Sequence, residues 1–312
     1  MDDLSGIEDD DELAMEAFYF LGALLSVLGL DEAVHKALPP ATRRKWLGII
    51  FDTVKLTLEI PAEKLCQIKA LVADWLEKDK ATKRELQSII GKLLYIAKCV
   101  KPARLFIGRM LATLRLAPER GSITLDKEFK MDIKWFSQFL PCYNGVSMMH
   151  QPRIQADKTV HLDSCLSGVG AICHKHYYHA RFPSFIVEGN HHISQLELLN
   201  ILVACKAFHT MWAHHTVEVH CDNEAAVSIL NSGRCKDLFM LSCARQIWMY
   251  SATYEFTIVP IHESATNMTL PDALSRYHLH DKYVKECHSL QKDPDSIEVK
   301  ISDDHFKFEF AV

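Results

Sequence analysis

The sequence predicts an α/β protein, with a mixed α/β domain of about 120 residues behind a mainly helical region. Three observations predict it. From about residue 157, strand-like runs alternate with long helices that have an apolar face. Residues 61–140 instead repeat apolar side chains every three and four positions. The composition is that of a globular protein: 312 residues, 48% hydrophobic and 24% charged, with 12 Gly and 11 Pro. Such a chain is not wholly disordered, collagen-like or of low complexity, and its length suits about two or three domains.

Several further classes are excluded or disfavoured. No run of about 18 uncharged apolar residues exists, so no membrane span is predicted. The acidic start Met1-Asp2-Asp3 lacks the basic stretch of a signal peptide. The 10 Cys contain no C-x-x-C pair and read as reduced intracellular thiols, not as disulfides or a zinc ribbon. An intracellular location is expected, with nucleus and cytoplasm both open.

The elements follow in order. Residues 11–30 read as a helix, and Pro39-Pro40 blocks its continuation. Trp46–Ile50 and Val54–Leu58 read as two short strands around Phe51-Asp52-Thr53. Residues 1–59 thus make a small, irregular first region. Residues 60–140 carry four helices. Pro61 opens the first, Thr82 with Glu85 forms a capping box for the second, Leu105–Leu116 is the third and Leu125–Phe139 the fourth. Residues 141–156, with Pro141, Gly145 and Pro152, read as a linker. Within 157–280 the order is three strands (159–166, 168–174, 177–182), a helix (194–212), a strand (217–221), helices (224–230 and 238–250), a strand (254–261) and a last helix (271–280). Residues 281–312 read as a weakly ordered polar tail, although Phe306, Phe308 and Phe310 alternate as in a short edge strand.

Charge is unevenly distributed. The whole chain carries a formal charge of -5, and residues 1–60 hold 12 acidic against 5 basic residues. Residues 61–120 reverse this, with 13 basic against 6 acidic. Lys78, Lys80, Lys83, Arg84, Lys92, Lys98, Lys101, Arg104, Arg109 and Arg115 could lie along a nucleic-acid phosphate backbone, or could simply be solvated helix positions.

Four carboxylates of the C-terminal domain stand where acids are disfavoured unless used. Asp163 lies inside the first strand, Glu197 in the first turn of the long helix, Asp222 at the end of the 217–221 strand, and Asp272 just after Pro271. Converging carboxylates repel, and an all-oxygen set suits Mg²⁺ or Mn²⁺ rather than Zn²⁺. Each has a plainer reading too. Ser194-Gln195-Leu196-Glu197 is itself a capping box, and Asp222 and Asp272 complement helix N-termini. Asp163 resists such a reading, since Asp is depleted in strands. The histidines at 174, 176, 179, 191, 192, 214 and 215 lack zinc-finger spacing and read as surface or hairpin positions.

The four acidic segments together resemble the ribonuclease H domain of retroelement polyproteins. They are His161-Leu-Asp163-Ser-Cys-Leu-Ser-Gly168-Val-Gly170, His192-Ile-Ser-Gln-Leu-Glu197, His220-Cys-Asp222-Asn223, and Ile258-Val-Pro-Ile-His262 continuing through Asn267 to Pro271-Asp272-Ala-Leu-Ser-Arg276. Upstream, Trp46-Leu-Gly-Ile-Ile-Phe-Asp-Thr53, Leu86–Leu93 and Pro102-Ala-Arg104 resemble the palm and helical thumb or connection of reverse transcriptases. Met1-Asp2-Asp3-Leu4 resembles the end of the polymerase motif with adjacent aspartates. The ending Asp-Ala-Leu-Ser-Arg is typical of retrotransposons, and the mix of motifs looks most like DIRS-like retrotransposons or their relatives. The resemblance spans roughly residues 1–280.

The resemblance implies a ribonuclease H-like mixed sheet with flanking helices, preceded by a helical thumb or connection region and a partial palm. It implies that Asp163, Glu197, Asp222 and Asp272 bind two Mg²⁺ ions, with Mn²⁺ an alternative. The substrate would be the RNA strand of an RNA–DNA hybrid. His262 would be an auxiliary group, and Ser164, Asn223, Asn267 and Arg276 would contact substrate. A polymerase needs a further palm Asp and fingers, which the segment before residue 46 is not expected to supply. Asp2 and Asp3 are therefore expected to be relics, and DNA synthesis by this chain alone is not expected. The competing expectation is a non-catalytic nucleic-acid-binding or assembly remnant.

Overall fold

A computed structural model describes residues 4–30, 33, 35, 37–99, 103–143, 146–148, 156–233 and 235–308. Asp2, Asp3, Lys36, Lys101, Pro102, Pro152, Phe310 and the side chain of Arg104 lie outside the described residues. The chain divides into two compact units, Met1–Leu65 with Gly145–His150, and Cys66–Asn144 with Gln151–Val312.

The first unit holds helix α1 (Asp11–Val27), capped by the Asp10 carboxylate on the Leu13 N–H, and none of the residues of α1 is buried. It also holds an antiparallel sheet in the order β1 (Arg43–Trp46), β2 (Ile49–Asp52), β3 (Thr57–Glu59) and β6 (Val146–Met148). Two expectations change here. The turn falls at Leu47-Gly48, both with positive φ (47° and 84°), so Phe51 and Asp52 are strand residues and not loop. Gly tolerates that backbone without penalty, which places the reversal beside it. Residues 146–148, expected in a linker, pair with β3.

The second unit joins the helical region to the mixed-sheet domain. Helix α2 (Ala62–Leu76), whose first turn belongs to the first unit, and α3 (Lys83–Ile96), α4 (Ala103–Leu116) and α5 (Lys127–Cys142) occupy the four expected places, with a small hairpin, β4 (Lys80–Thr82) and β5 (Ser122–Thr124), that periodicity did not reveal. The capping box is present: the Glu85 N–H donates to Thr82 Oγ1, and the Thr82 N–H donates 2.8 Å to Glu85 Oε2. Leu86, Ile89, Ile90, Leu93 and Ile96 form the buried face of α3.

Behind this come β7 (Lys158–Cys165), β8 (Gly168–Cys173), β9 (His176–Arg181), α6 (Ser184–Val187), α7 (Ile193–Trp212), β10 (Thr216–Cys221), α8 (Glu224–Ser232), α9 (Leu238–Thr253), β11 (Thr257–His262), α10 (Thr269–Ser275), α11 (Asp281–Glu286), α12 (His288–Lys292) and β12 (Ile297–Glu298). The sheet order is β11-β10-β7-β8-β9-β12. β7, β8 and β9 are antiparallel, whereas β10 and β11 run parallel to β7. This six-stranded mixed sheet with flanking helices has the ribonuclease H-like architecture. Residues 281–308 differ from a loose tail. β12 pairs with β9, Phe306 is buried against Phe182, and the Lys206 ammonium donates 2.7 Å to the Lys307 carbonyl. Polar composition hid these contacts, because backbone pairing and one buried ring hold the segment.

A buried ionic network ties the helical region to α9. Arg245 and Asp132, 1% and 0% exposed in their side chains, form an ion pair. Arg109 joins it through Glu128 (2.6 Å) and Asp132 (3.6 Å). The Trp135 indole N–H donates 2.8 Å to the Arg245 carbonyl. Arg109, read from sequence as part of a basic face, is thus an internal residue of this unit.

Gly170 lies opposite Asp163 in the β7–β8 register. A Cβ there would stand 2.5 Å from Leu274 Cβ and 2.5 Å from the Ser275 nitrogen, so the missing side chain lets α10 lie directly on the sheet. Gly170→Ala is predicted to destabilise the protein by about 1–3 kcal/mol through overpacking. Gly91→Ala, at an open position in α3, is predicted to be neutral or stabilising by about 0.5–1 kcal/mol. Urea denaturation of both variants checks the pair, and equal stabilities would contradict the close approach of α10.

Candidate metal and active site

Three elements converge on Asp163. β7 carries it in mid-strand, 5% exposed. α7 crosses beneath and brings Glu197, 2% exposed. β10, parallel to β7, ends at Cys221 and hands the chain to Asp222. The capping box of α7 is built by His192 and Gln195, not Ser194 and Glu197. That shift leaves Glu197 free of capping, and its carboxylate accepts from the Ser164 N–H at 2.9 Å instead.

A polar brace locks this geometry. Asn200, one turn beyond Glu197, donates to the carbonyls of Asp163 (2.8 Å) and Gly170 (3.1 Å). Its own oxygen accepts from the Tyr178 hydroxyl at 2.6 Å. Satisfied buried networks of this kind fix one arrangement of strands and helix. On the other side of Asp163, the Ser275 hydroxyl donates 2.7 Å to Asp163 Oδ2. Neither Asn200 nor Ser275 was singled out by sequence; Ser275 sits inside the Asp-Ala-Leu-Ser-Arg motif, the one signal available for it.

The electrostatics are those of uncompensated acid. Burial pushes the Asp163 carboxyl up to about 6; Asp222 adds to the rise, while the Ser275 hydrogen bond and Arg276 oppose it. Burial, then Asp163 and Asp222, drives Glu197 well above the ordinary carboxylate range. Oxygen atoms of Glu197 and Asp222 and the sulfur of Cys221 lie within 4.8 Å of one another. Burial also raises the Cys221 thiol, and the neighbouring Glu197 raises it further. Clustered carboxylates held at this cost fit a divalent cation, and oxygen donors fit a hard one. The residues present therefore suit the group the family resemblance implies.

Asp272 stands apart from this triad in its contacts. Its carboxylate is ion-paired with Arg276 one turn on, while its carbonyl accepts from Ser275 at 2.9 Å. Ser275 thus links the Asp272 turn to Asp163. Of the other predicted residues, the His262 ring nitrogen lies 3.1 Å from the Asp222 carbonyl and is exposed. Asn223 caps α8 through the Ala226 N–H and donates 3.1 Å to Ser194 Oγ. Asn267 donates 2.6 Å to Glu263. Ser164 is buried and its hydroxyl donates to the Leu196 carbonyl at 3.3 Å, so it holds β7 on α7. Arg276 lies over the Tyr283 ring at 6.0 Å.

Among the basic helical residues, Lys78 pairs with Glu85 at 2.5 Å and Lys83 with Glu119. Lys80, Arg84, Lys92, Lys98 and Arg115 are exposed. A cleft of about 430 Å³ is lined by Lys127, Lys130 and Lys134 of α5 over Leu76, Leu125 and Met131. No described helix is long and apolar enough to cross a membrane.

No protein-family model and no curated protein sequence matches the chain. Among solved structures, it is similar to the foamy viral protease-reverse transcriptase dRH in complex with double-stranded DNA, with TM-score 0.35 and 12% identity over 82% of this chain and 44% of that chain. It is also similar to the foamy viral protease-reverse transcriptase in complex with an RNA/DNA hybrid, with TM-score 0.30 and 12% identity over 79% of this chain and 33% of that one. A third, the same viral protein with double-stranded DNA, has TM-score 0.29 and 14% identity over 79% of this chain and 51% of that one. The chain therefore spans about a third to a half of the length of these structures.

Proposed function

We infer that the protein is a metal-dependent endonuclease that hydrolyses the RNA strand of RNA–DNA hybrids. The observation that carries this reading is the meeting of Glu197 and Asp222, whose oxygens lie within 4.8 Å of each other, beside the buried Asp163 that couples electrostatically to both. The four acidic motifs in order, and their likeness to retroelement sequences of the DIRS-like kind, support the same reading.

Asp163, Glu197 and Asp222, with Asp272 from α10, would hold Mg²⁺ or Mn²⁺. The chemistry such ions would supply there is a water of lowered pKa and charge stabilisation at the leaving ribose 3′-oxygen. The protein's own groups orient and hold. The Ser275 hydroxyl fixes Oδ2 of Asp163. The Ser164 amide fixes Glu197. His262, exposed beside the Asp222 carbonyl, would be the auxiliary group. Asn223 and Asn267 would contact the substrate backbone, and Arg276 holds the Asp272 carboxylate. The 2′-hydroxyl distinguishes the strand to be cut. The exposed Arg84 and Lys92 of α3 and the Lys127–Lys134 row of α5 suit backbone phosphates.

The test is cleavage of an RNA–DNA hybrid labelled at the RNA 5′-end, in Mg²⁺, Mn²⁺ and EDTA, with RNA-only and DNA–DNA controls. Hybrid-specific cutting that disappears in EDTA and in Asp222→Asn is the expected result. A folded, metal-supplied protein that binds the hybrid without cutting it would favour the non-catalytic remnant.

A further inference from the structure

Cys221 is buried at the acid cluster and has no part in the chemistry above. It ends β10, immediately before Asp222, and its side chain turns inward toward α7. Its Sγ lies 3.6 Å from Glu197 Oε2. Among the described residues, Glu197, Cys221 and Asp222 are the one set of three candidate ligands whose donor atoms lie this close together.

We propose that Cys221 adds a sulfur donor to the acid cluster and makes it a binding site for a thiophilic divalent cation, Zn²⁺ being the chemical class, in competition with the hard cation. The inference rests on the reading of this cluster as a cation site and extends it to a second kind of ion.

The distances favour this geometry. An ion at about 2.3 Å from a thiolate and about 2.1 Å from a carboxylate oxygen, at a tetrahedral angle, separates sulfur from oxygen by about 3.6 Å. That is the separation found between Cys221 Sγ and Glu197 Oε2, 3.6 Å. At the right angle of an octahedral ion, the same bonds would bring the two atoms to about 3.1 Å. Asp222, half-buried, supplies a third donor. Mg²⁺ takes oxygen and has no affinity for sulfur, so with Mg²⁺ bound Cys221 remains a thiol that donates to Glu197. A thiophilic ion instead forms a metal–sulfur bond while the S–H proton leaves to solvent. The plainer alternative is that Cys221 is only a small core side chain with a weak hydrogen bond. The two readings differ in what a soft ion does.

Co²⁺ serves as the spectroscopic probe for Zn²⁺. Metal-free full-length protein is titrated with Co²⁺ and followed in the near ultraviolet, where a thiolate-to-cobalt charge-transfer band appears only if sulfur is bound. The expected result is a band that saturates at about one equivalent, is abolished by Zn²⁺, and yields to Mg²⁺ only in large excess. Cys221→Ser and Cys221→Ala should both lose the band and bind Co²⁺ at least tenfold more weakly. Cys66→Ser, at an exposed thiol on α2, should retain it. The two Cys221 variants guard against loss of packing, and an unchanged far-ultraviolet circular dichroism spectrum reports their fold. A band that persists in both Cys221 variants overturns the proposal. So does a wild-type protein that Mg²⁺ protects against heat but that shows no band with Co²⁺; the cation-site reading then stands and the sulfur ligand falls. If neither Mg²⁺ nor Co²⁺ shifts the melting of wild type, the cation-site reading fails and takes the proposal with it.

Discussion

Asp163→Asn should abolish hybrid cleavage and, in metal-free buffer, make the protein more stable. The loss of cleavage should exceed about 10²-fold, the upper range for residues one step removed from a metal. The stability gain follows from linkage. Burial raises the Asp163 carboxyl in the folded state from 3.8 to about 6. Between those values the folded protein binds the proton more tightly than the unfolded chain does. Stability therefore falls as pH rises through that window and stays lower above it. A shift of about two units corresponds to roughly 3 kcal/mol, an upper figure once relaxation is allowed. The neutral amide has no such penalty, and its oxygen still accepts from Ser275. At pH 8 in EDTA, Asp163→Asn should be more stable than wild type by about 1–3 kcal/mol, and at pH 4 the difference should nearly vanish. Mg²⁺ should reverse the order at pH 8, because it stabilises the wild-type cluster and binds the variant weakly. Urea denaturation in the four conditions measures all of this. A variant less stable than wild type in EDTA at pH 8 would mean that the acid cluster is not under electrostatic strain.

Removing Arg245 should be the most damaging single change to the fold. Its guanidinium compensates Asp132, which is 0% exposed, and the guanidinium carbon lies over the Phe106 ring, 5.7 Å from the centroid. Leaving one member of a buried ion pair alone costs about 3–5 kcal/mol. Arg245→Met should show a loss of that size at pH 8. Burial already pushes Asp132 up to about 6 against the pull of Arg245 and Arg109. Without Arg245 its carboxyl rises further, so the deficit should shrink at pH 5, where Asp132 takes up a proton, and grow above pH 6. Arg245→Met with Asp132→Leu should recover most of the loss, since apolar replacement of a whole buried pair is often neutral or better. A single variant that loses under about 1 kcal/mol at pH 8 would show that Asp132 is adequately held by Arg109 alone.

Much of the architecture was legible along the chain because it is written in short-range patterns. The 3.6-residue repeat of Leu86, Ile89, Ile90 and Leu93, and the strand-like run through Asp163, depend only on which face of an element is buried. The capping box of Thr82 and Glu85 is local in the same sense. Legibility failed where contacts are long-range or the pattern is degenerate. Residues 146–148 form a strand only because β3 offers an edge. Phe306 is buried only because Phe182 waits across the fold. The box at the start of α7 could be written from Ser194 to Glu197 or from His192 to Gln195, and only packing on β7 decides between them. Arg109 looks like any helix cation until Glu128 and Asp132 close on it.

The acidic motifs, their residue types and their order are properties of the chain alone, since hydrophobic period and side-chain chemistry are carried residue by residue. Their meeting is a property of the fold. Asp163, Glu197 and Asp222 are far apart in sequence, and a parallel pairing of β10 with β7 and the crossing of α7 bring them together. The same packing removes water from Asp163 and Glu197, turns the Cys221 sulfur toward Glu197, and hands one oxygen of Asp163 to Ser275. Burial and mutual distance set those energies, and neither exists until the tertiary structure has formed.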